Sequence, residues 1–248
     1  MNIRKHKNLD RKLWDENKSP HLPVRETLLE IVRAYIDNVR DMHHLNIRDS
    51  DIKDVFIYGS CANYFYTRKS DIDMCIVIDL QSIVGQNSNP SIEQILKMYW
   101  YNWAMAHKCL IMGRKVDVSI EDVNNTISKN GRYRSGPAYS LLKNQWLFNP
   151  VIISDTEFKN IKARARTVFK EIMHDYNIVK KNGFQMAEMQ ELYKNIYDSK
   201  NLSHSENLEQ PVNYMYIAFR KIRDCGIIDK LRKHAIDAES KNFILKKI

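Results

Sequence analysis

Residues 55–78 read VFIYGSCANYFYTRKSDIDMCIVI, with an apolar run at each end. Short apolar runs bounded by a glycine or by polar residues predict buried strands. We therefore predict one strand that ends before Gly59 and a second strand over residues 72–78. The Gly59-Ser60 pair forms the turn after the first strand, and a short helix follows it. Helical patterns precede and follow these strands, so this part of the chain is predicted to be a small α/β domain.

Three aspartates belong to the predicted strands. Alternate side chains of a strand share a face, so Asp71 and Asp73 point the same way, about 7 Å apart, while the apolar residues around them face the core. Residues 115–120 predict a third strand, in which Asp117 takes the polar face. If the second and third strands are neighbours, three carboxylates converge. One or two Mg²⁺ ions would relieve their repulsion and could hold the oxygens of a phosphoryl displacement.

The Gly59-Ser60 turn complements these carboxylates. A glycine lets the backbone approach a ligand closely, and the amides of the following helix, with the Ser60 hydroxyl, can hold β- and γ-phosphates. The chain has only seven glycines, and they form neither a G-x-G-x-x-G nor a P-loop pattern. Dinucleotide binding on a Rossmann motif and P-loop hydrolysis therefore lose their sequence support.

Gly-Ser, ten residues, Asp-x-Asp and a third Asp on a later strand resemble the DNA polymerase β-type nucleotidyltransferase superfamily. The resemblance implies transfer of a nucleoside monophosphate from an NTP to an acceptor hydroxyl. It implies two Mg²⁺ ions, for which Mn²⁺ can substitute. Gly59 and Ser60 would bind the triphosphate, and Ser70 would be a further nucleotide-binding residue. Asp71, Asp73 and Asp117 would be the catalytic metal ligands, with Asp117 next to the acceptor.

One position departs from the family pattern. Members usually carry a second glycine in a GSxAxG-like turn, and this chain keeps Ala62 but has Tyr64 at the glycine position. A tyrosine ring there would narrow or reshape the phosphate turn.

The domain prediction has three parts. Residues 1–22 form a mobile basic arm, residues 23–150 form an α/β (α+β) nucleotidyltransferase domain with a small mixed sheet, and residues 151–248 form an all-α domain. Within the second part, residues 137–146 are predicted to be helical. After Pro150 the pattern is helical throughout, and Ser154 to Glu157 matches a capping box that starts the first of these helices.

Charge favours anionic partners. The net charge is +9, of which +4 belongs to residues 1–150 and +5 to residues 151–248. A basic surface attracts nucleic acid, so RNA is a candidate partner besides the NTP. Arg132, Arg134 and Lys143 are further candidates for phosphate contacts.

No apolar run is long enough to cross a membrane. The four cysteines show no C-x-x-C pairing, which favours a reducing, cytoplasmic location. The sequence indicates no oligomeric state.

The acceptor stays open at this point. RNA or another anionic macromolecule is favoured over cationic antibiotics, which would require an acidic cleft. One alternative is a catalytically silent nucleotidyltransferase-like module that binds RNA or protein. Another is a toxin or antitoxin transferase that acts on protein or tRNA.

Overall fold

A six-stranded sheet occupies the first part of the chain. The computed structural model describes residues 4–43, 45–68, 70–84, 91–126, 136–205 and 214–245. The strands are β1 (Ile52–Tyr58), β2 (Ile72–Ile78), β3 (Leu110–Ile111), β4 (Arg114–Asp122), β5 (Ala138–Ser140) and β6 (Gln145–Phe148). Their order is β3-β4-β2-β1-β5-β6, in which β2 and β4 are parallel and the other neighbours are antiparallel. The predicted α/β class with a small mixed sheet is confirmed.

The central strand β2 is apolar because it lies inside the sheet. The side chains predicted to face the core are fully buried, namely Ile72, Met74, Ile76 and Ile78. Two long helices accompany the sheet, α1 (Leu22–His43) and α3 (Ser91–His107), with two short ones, α2 (Leu80–Val84) and α4 (Val123–Thr126). The Tyr35 hydroxyl of α1 donates to the Leu96 carbonyl of α3 at 2.5 Å. Since α3 lies between β2 and β4 in the chain, it supplies the crossover that parallel strands require.

The N-terminal segment, residues 4–21, differs from the predicted mobile arm. Leu9, Leu13 and Trp14 are at most 4% exposed. The segment is basic, which favours exposure to solvent. Burial of its apolar and aromatic side chains against the rest of the fold stabilises the packed position more strongly. Trp14 stacks on Trp146 with 4.9 Å between ring centroids and meets Tyr139 edge-on. The segment is therefore part of the packed structure.

The predicted helix over residues 137–146 is wrong. These residues form the hairpin of β5 and β6, whose turn contains Asn144 at a φ of +54°. Asparagine tolerates this left-handed conformation better than most residues. β5 pairs with β1, and the Ser140 hydroxyl donates to the buried Asp54 carboxylate at 2.6 Å. Pairing with the edge of β1 thus determines that these residues form strands.

After residue 152, the regular structure in the described ranges is helical. The helices are α5 (Asp155–Lys181), α6 (Met186–Ser205), α7 (Tyr214–Asp224) and α8 (Ile227–Leu245). The Ser154 side chain caps α5 by accepting a hydrogen bond from the Glu157 amide at 3.1 Å. These helices share an apolar core that includes Ile172, Ile196 and Ile222.

The described residues divide into two compact units. The first unit runs up to Ile152 and contains the sheet, and the second unit starts at Ile153 and contains α5 to α8. Within the described ranges, every helix is too short or too polar to cross a membrane.

Candidate nucleotide and metal site

Gly59 lies in close contact with the carboxylate of Asp73. It follows the last residue of β1 and opens a single 3-10 turn, Gly59–Ala62. Its φ is +74°, and a Cβ placed on it would lie 2.2 Å from Oδ2 of Asp73. No side chain fits at that distance, and an L-residue would also be strained at that φ. The local backbone therefore requires glycine, and this glycine brings the Gly-Ser turn against the second aspartate of the Asp-x-Asp pair.

The strand register brings Asp73 and Asp117 side by side. Asp73 of β2 pairs with Asp117 of β4 in the parallel ladder, and Tyr58 pairs with Asp73 on the other side. Neighbouring strands lie about 4.8 Å apart, so both carboxylates leave the same face of the sheet at the same level. Asp71 comes just before β2 and is exposed, as is Asp117, whereas Asp73 is half-buried. The condition stated for convergence, that the strands of Asp73 and Asp117 are neighbours, is thus met.

The donor set suits a hard cation, although it is not a closed metal centre. Carboxylate oxygens are the ligands that Mg²⁺ prefers, and two of the three lie on adjacent strands in register. Among the side chains that the structure describes, no group of three His, Cys, Asp or Glu residues is arranged as a metal site. These carboxylates fit Mg²⁺ by chemistry and by register.

Polar neighbours complete the face beside the aspartates. Ser119 follows Asp117 on the same face of β4, and its hydroxyl lies 3.2 Å from the Tyr58 hydroxyl and from the Met74 carbonyl. Cys61, in the Gly-Ser turn, is fully buried, and this burial raises the pKa of its thiol far above the ordinary value, with the Asp73 charge adding to the effect. The thiol is therefore neutral and is not a nucleophile.

The two predicted serines are in different environments. Ser60 is 8% exposed within the 3-10 turn, next to Gly59. The Ser70 hydroxyl accepts a hydrogen bond from the Thr67 amide at 2.9 Å, and the Ser70 amide donates to the Thr67 carbonyl at 3.0 Å. Ser70 therefore shapes the turn that leads into Asp71.

Arg114 is a site residue that the sequence analysis missed. It is 6% exposed, and its guanidinium donates to the carbonyls of Thr67 and Ser70, both at 2.7 Å, and to the Asp10 carboxylate. A signal was present, because Arg114 has the same strand parity as the buried residues Val116 and Val118. A cation on the buried face of a strand predicts a buried anionic partner.

The Tyr64 ring lies beneath the N-terminal segment. It is 2% exposed and lines a cavity of about 540 Å³ with Leu9, Arg11 and Trp14. The Trp14 indole donates to the Cys61 carbonyl at 2.8 Å, and the His6 amide donates to the Tyr64 carbonyl at 2.8 Å. The tyrosine at the position of the family glycine thus contributes to the packing of this segment.

Three further phosphate-contact candidates have a different status. The Lys143 ammonium lies 3.1 Å from the buried Asp54 carboxylate, which gives it a structural partner. Arg132 and Arg134 lie outside the described residues.

A Gly-Ser turn against an Asp-x-Asp strand, with a third aspartate on the neighbouring parallel strand, defines a DNA polymerase β-type nucleotidyltransferase, as the sequence predicted. Residues 9–195 match the family model described as "Poly(A) RNA polymerase, mitochondrial-like, central palm domain". The chain belongs to this family.

One solved structure is similar to half of the chain. A candidate nucleotidyltransferase from Sulfolobus solfataricus, known from a crystal structure, is 16% identical over 50% of this chain and 90% of its own. The TM-score is 0.27, which is too low to support a structural argument. No curated protein is significantly similar to the chain.

Proposed function

We propose that this protein is a Mg²⁺-dependent nucleotidyltransferase that moves a nucleoside monophosphate from an NTP to an acceptor hydroxyl, with RNA or another anionic macromolecule as the acceptor. The observation that supports this most directly is the packing of Gly59 against Asp73, which itself pairs with Asp117. Phosphates held at the turn would lie beside the carboxylates that hold the cations.

Each residue has a role in this proposal. The amides of the Gly59–Ala62 turn and the Ser60 hydroxyl bind the β- and γ-phosphates. Asp71, Asp73 and Asp117 would hold the metal ions, which when bound neutralise phosphate charge and orient an in-line displacement. Asp117 accepts the proton of the acceptor hydroxyl, and its exposure lets that proton pass on to solvent. A bond forms from the acceptor oxygen to the α-phosphorus, the bond to the bridging oxygen breaks, and pyrophosphate leaves.

A basic face of α5 supports an anionic acceptor. Between residues 158 and 170 the helix has five Lys or Arg residues and neither Asp nor Glu. Lys159, Arg166 and Lys170 are exposed and recur at intervals of seven and four residues, so they lie on one side of the helix. The buried residues of α5, among them Ile161 and Ile172, lie on the opposite side. We call these three cations the basic face of α5.

The experiment is a transfer assay. The protein is incubated with Mg²⁺, each labelled NTP in turn, and total RNA, total protein or no added acceptor. We expect label on RNA, lost in Asp73→Asn. Label on protein, or on tRNA alone, would instead favour the toxin or antitoxin type of transferase. NTP binding without transfer to any acceptor would identify a silent module and refute the proposal.

Asp79→Asn is a matched control for the loss of one carboxylate. Asp79 directly follows β2, and its carboxylate faces the Lys53 ammonium at 3.6 Å, away from the Gly-Ser turn. The variant therefore changes charge by the same amount, and we expect it to keep its transfer rate.

A further inference from the structure

The N-terminal segment contacts the chain between β1 and β2 at several points. Residues 59–71, which we call the β1–β2 connection, include Gly59, Ser60, Ser70 and Asp71. Trp14 donates to the Cys61 carbonyl and His6 to the Tyr64 carbonyl. The ring of His6 also stacks on Tyr66 with 4.0 Å between centroids. The segment thus holds the half of the connection that begins with the Gly-Ser turn.

Asp10 and Arg114 hold the other half. The buried guanidinium of Arg114 bonds the Thr67 and Ser70 carbonyls, and the Asp10 carboxylate pairs with the same guanidinium. The side chains of Arg114 and Asp10 are 5% and 9% exposed. Because water does not screen such a pair strongly, and arginine has a planar fork of donors, the Ser70 carbonyl is fixed in both position and direction. Ser70 directly precedes Asp71, so the pair determines where the first metal carboxylate starts.

We propose that Trp14 and the Asp10–Arg114 pair are positioning residues of the nucleotide site, which hold the β1–β2 connection through its backbone carbonyls; this inference rests on the proposed function. They touch neither substrate nor metal. They order a 13-residue connection before the triphosphate and its cations bind to its amides and carboxylates. The entropy cost of ordering the connection is then part of folding and does not weaken nucleotide binding. Trp14 acts on the phosphate end, and the Asp10–Arg114 pair acts on the metal end.

The two ends give separate predictions. Trp14→Phe keeps an aromatic ring at this position but removes the indole N–H together with part of the ring, and its control variant shares that reduction in ring size. We expect the loss of the hydrogen bond to Cys61 to raise the KM for NTP about fivefold to tenfold, the worth of one buried hydrogen bond. Arg114→Lys keeps a positive charge opposite Asp10 but lacks the planar fork, which bonds both carbonyls through one nitrogen and Asp10 through the other. We expect it to raise the Mg²⁺ concentration for half-maximal rate at least fivefold, with most of kcat restored at saturating Mg²⁺.

Trp146→Phe is the matched control. The Trp146 indole donates to the Lys18 carbonyl at 2.9 Å, so this variant also removes one indole hydrogen bond to the N-terminal segment. That bond does not involve the β1–β2 connection. We expect neither the KM nor the Mg²⁺ dependence to change. If Arg114→Lys does not fold, Asp10→Asn replaces it, because asparagine keeps an acceptor oxygen for the guanidinium while removing the charge.

Amide hydrogen exchange provides a readout without NTP or Mg²⁺. In Trp14→Phe and Arg114→Lys we expect the amides of residues 59–71 to exchange about tenfold faster than in the wild type, and in Trp146→Phe we expect no change there. Equal exchange and equal KM in Trp14→Phe and Trp146→Phe would overturn the inference. If the wild type neither binds NTP nor transfers, the proposed function fails, and exchange at residues 59–71 still decides whether the segment positions the connection.

Discussion

Replacing Gly59 with alanine tests the geometry on which the proposed site depends. The new Cβ would lie 2.2 Å from Oδ2 of Asp73, whereas real Cβ contacts are not shorter than 3.0 Å. The Asp73 carboxylate and the Gly-Ser turn must therefore separate by about 0.8 Å or more. A misplacement of about 1 Å at a reacting centre can cost about 100-fold in rate, which is the loss of transfer that we expect. The same substitution also destabilises the fold, because the left-handed conformation costs an alanine about 1–2 kcal/mol.

Gly113→Ala separates these two effects. Gly113 has the same φ of +74°, but nothing lies within 4 Å of its added Cβ. We expect both variants to lower the Tm by about 2–8 °C, since each kcal/mol shifts a domain of this size by about 2–4 °C. Only Gly59→Ala should lose NMP transfer and the stabilisation by NTP with Mg²⁺. Thermal melts with and without NTP, together with the transfer assay, measure both quantities. Transfer by Gly59→Ala within threefold of the Gly113→Ala rate would refute the assigned contact between turn and carboxylate.

Three more predictions concern charge. Asp73→Asn and Asp117→Asn should each lower transfer at least about 100-fold, while metal-free stability in thermal melts stays equal or rises slightly, because each removes a charge from a repelling pair. Replacing the three residues of the basic face of α5 by glutamate should weaken RNA binding and make the slope of log K against log salt less negative by about 2. RNA titrations at several salt concentrations measure this slope, and a triple variant at scattered exposed lysines is the control. Arg48 lowers the pKa of Asp51 from 3.8 to about 2, so its stabilisation is present above pH 4 and is lost as pH falls towards 2. The stability difference between wild type and Asp51→Asn in denaturant should therefore shrink over that range, and a constant difference would contradict this assignment.

The strands β1 and β2 and the shared face of Asp71 and Asp73 could be predicted because residues 55–78 determine both. Strand alternation places Asp71 and Asp73 on one face, and apolar runs mark β1 and β2 as buried. The parallel pairing of β2 with β4, which sets Asp73 beside Asp117, was only a condition in the sequence analysis. The sequence shows the phase of each strand but not which strand is its neighbour.

The hairpin and the N-terminal segment could not be predicted because long-range partners decide them. Residues 137–146 are predicted to be helical from the sequence, and pairing with β1 decides in favour of strands. The charge of the N-terminal segment suggests an arm in solvent, while Trp14 finds its partner 47 residues away, at the Cys61 carbonyl. Arg114 carried a readable signal of a buried partner, but nothing local identified that partner as Asp10.

The Asp10–Arg114 pair also imposes an order on biosynthesis. The two residues are 104 positions apart, so Asp10 waits for the synthesis of β4 before it can pair. At about 5–20 residues per second, that interval lasts about 5–20 s. During it, Leu9, Leu13 and Trp14 have no completed sheet to cover them, and a nascent chain that already contains the Gly-Ser turn, Asp71 and Asp73 still lacks the Asp10–Arg114 pair. Ribosome-bound chains that stop before Arg114 should therefore bind chaperones through these apolar residues, while chains from which β6 has also emerged should not, because Trp14 packs on Tyr139 and Trp146.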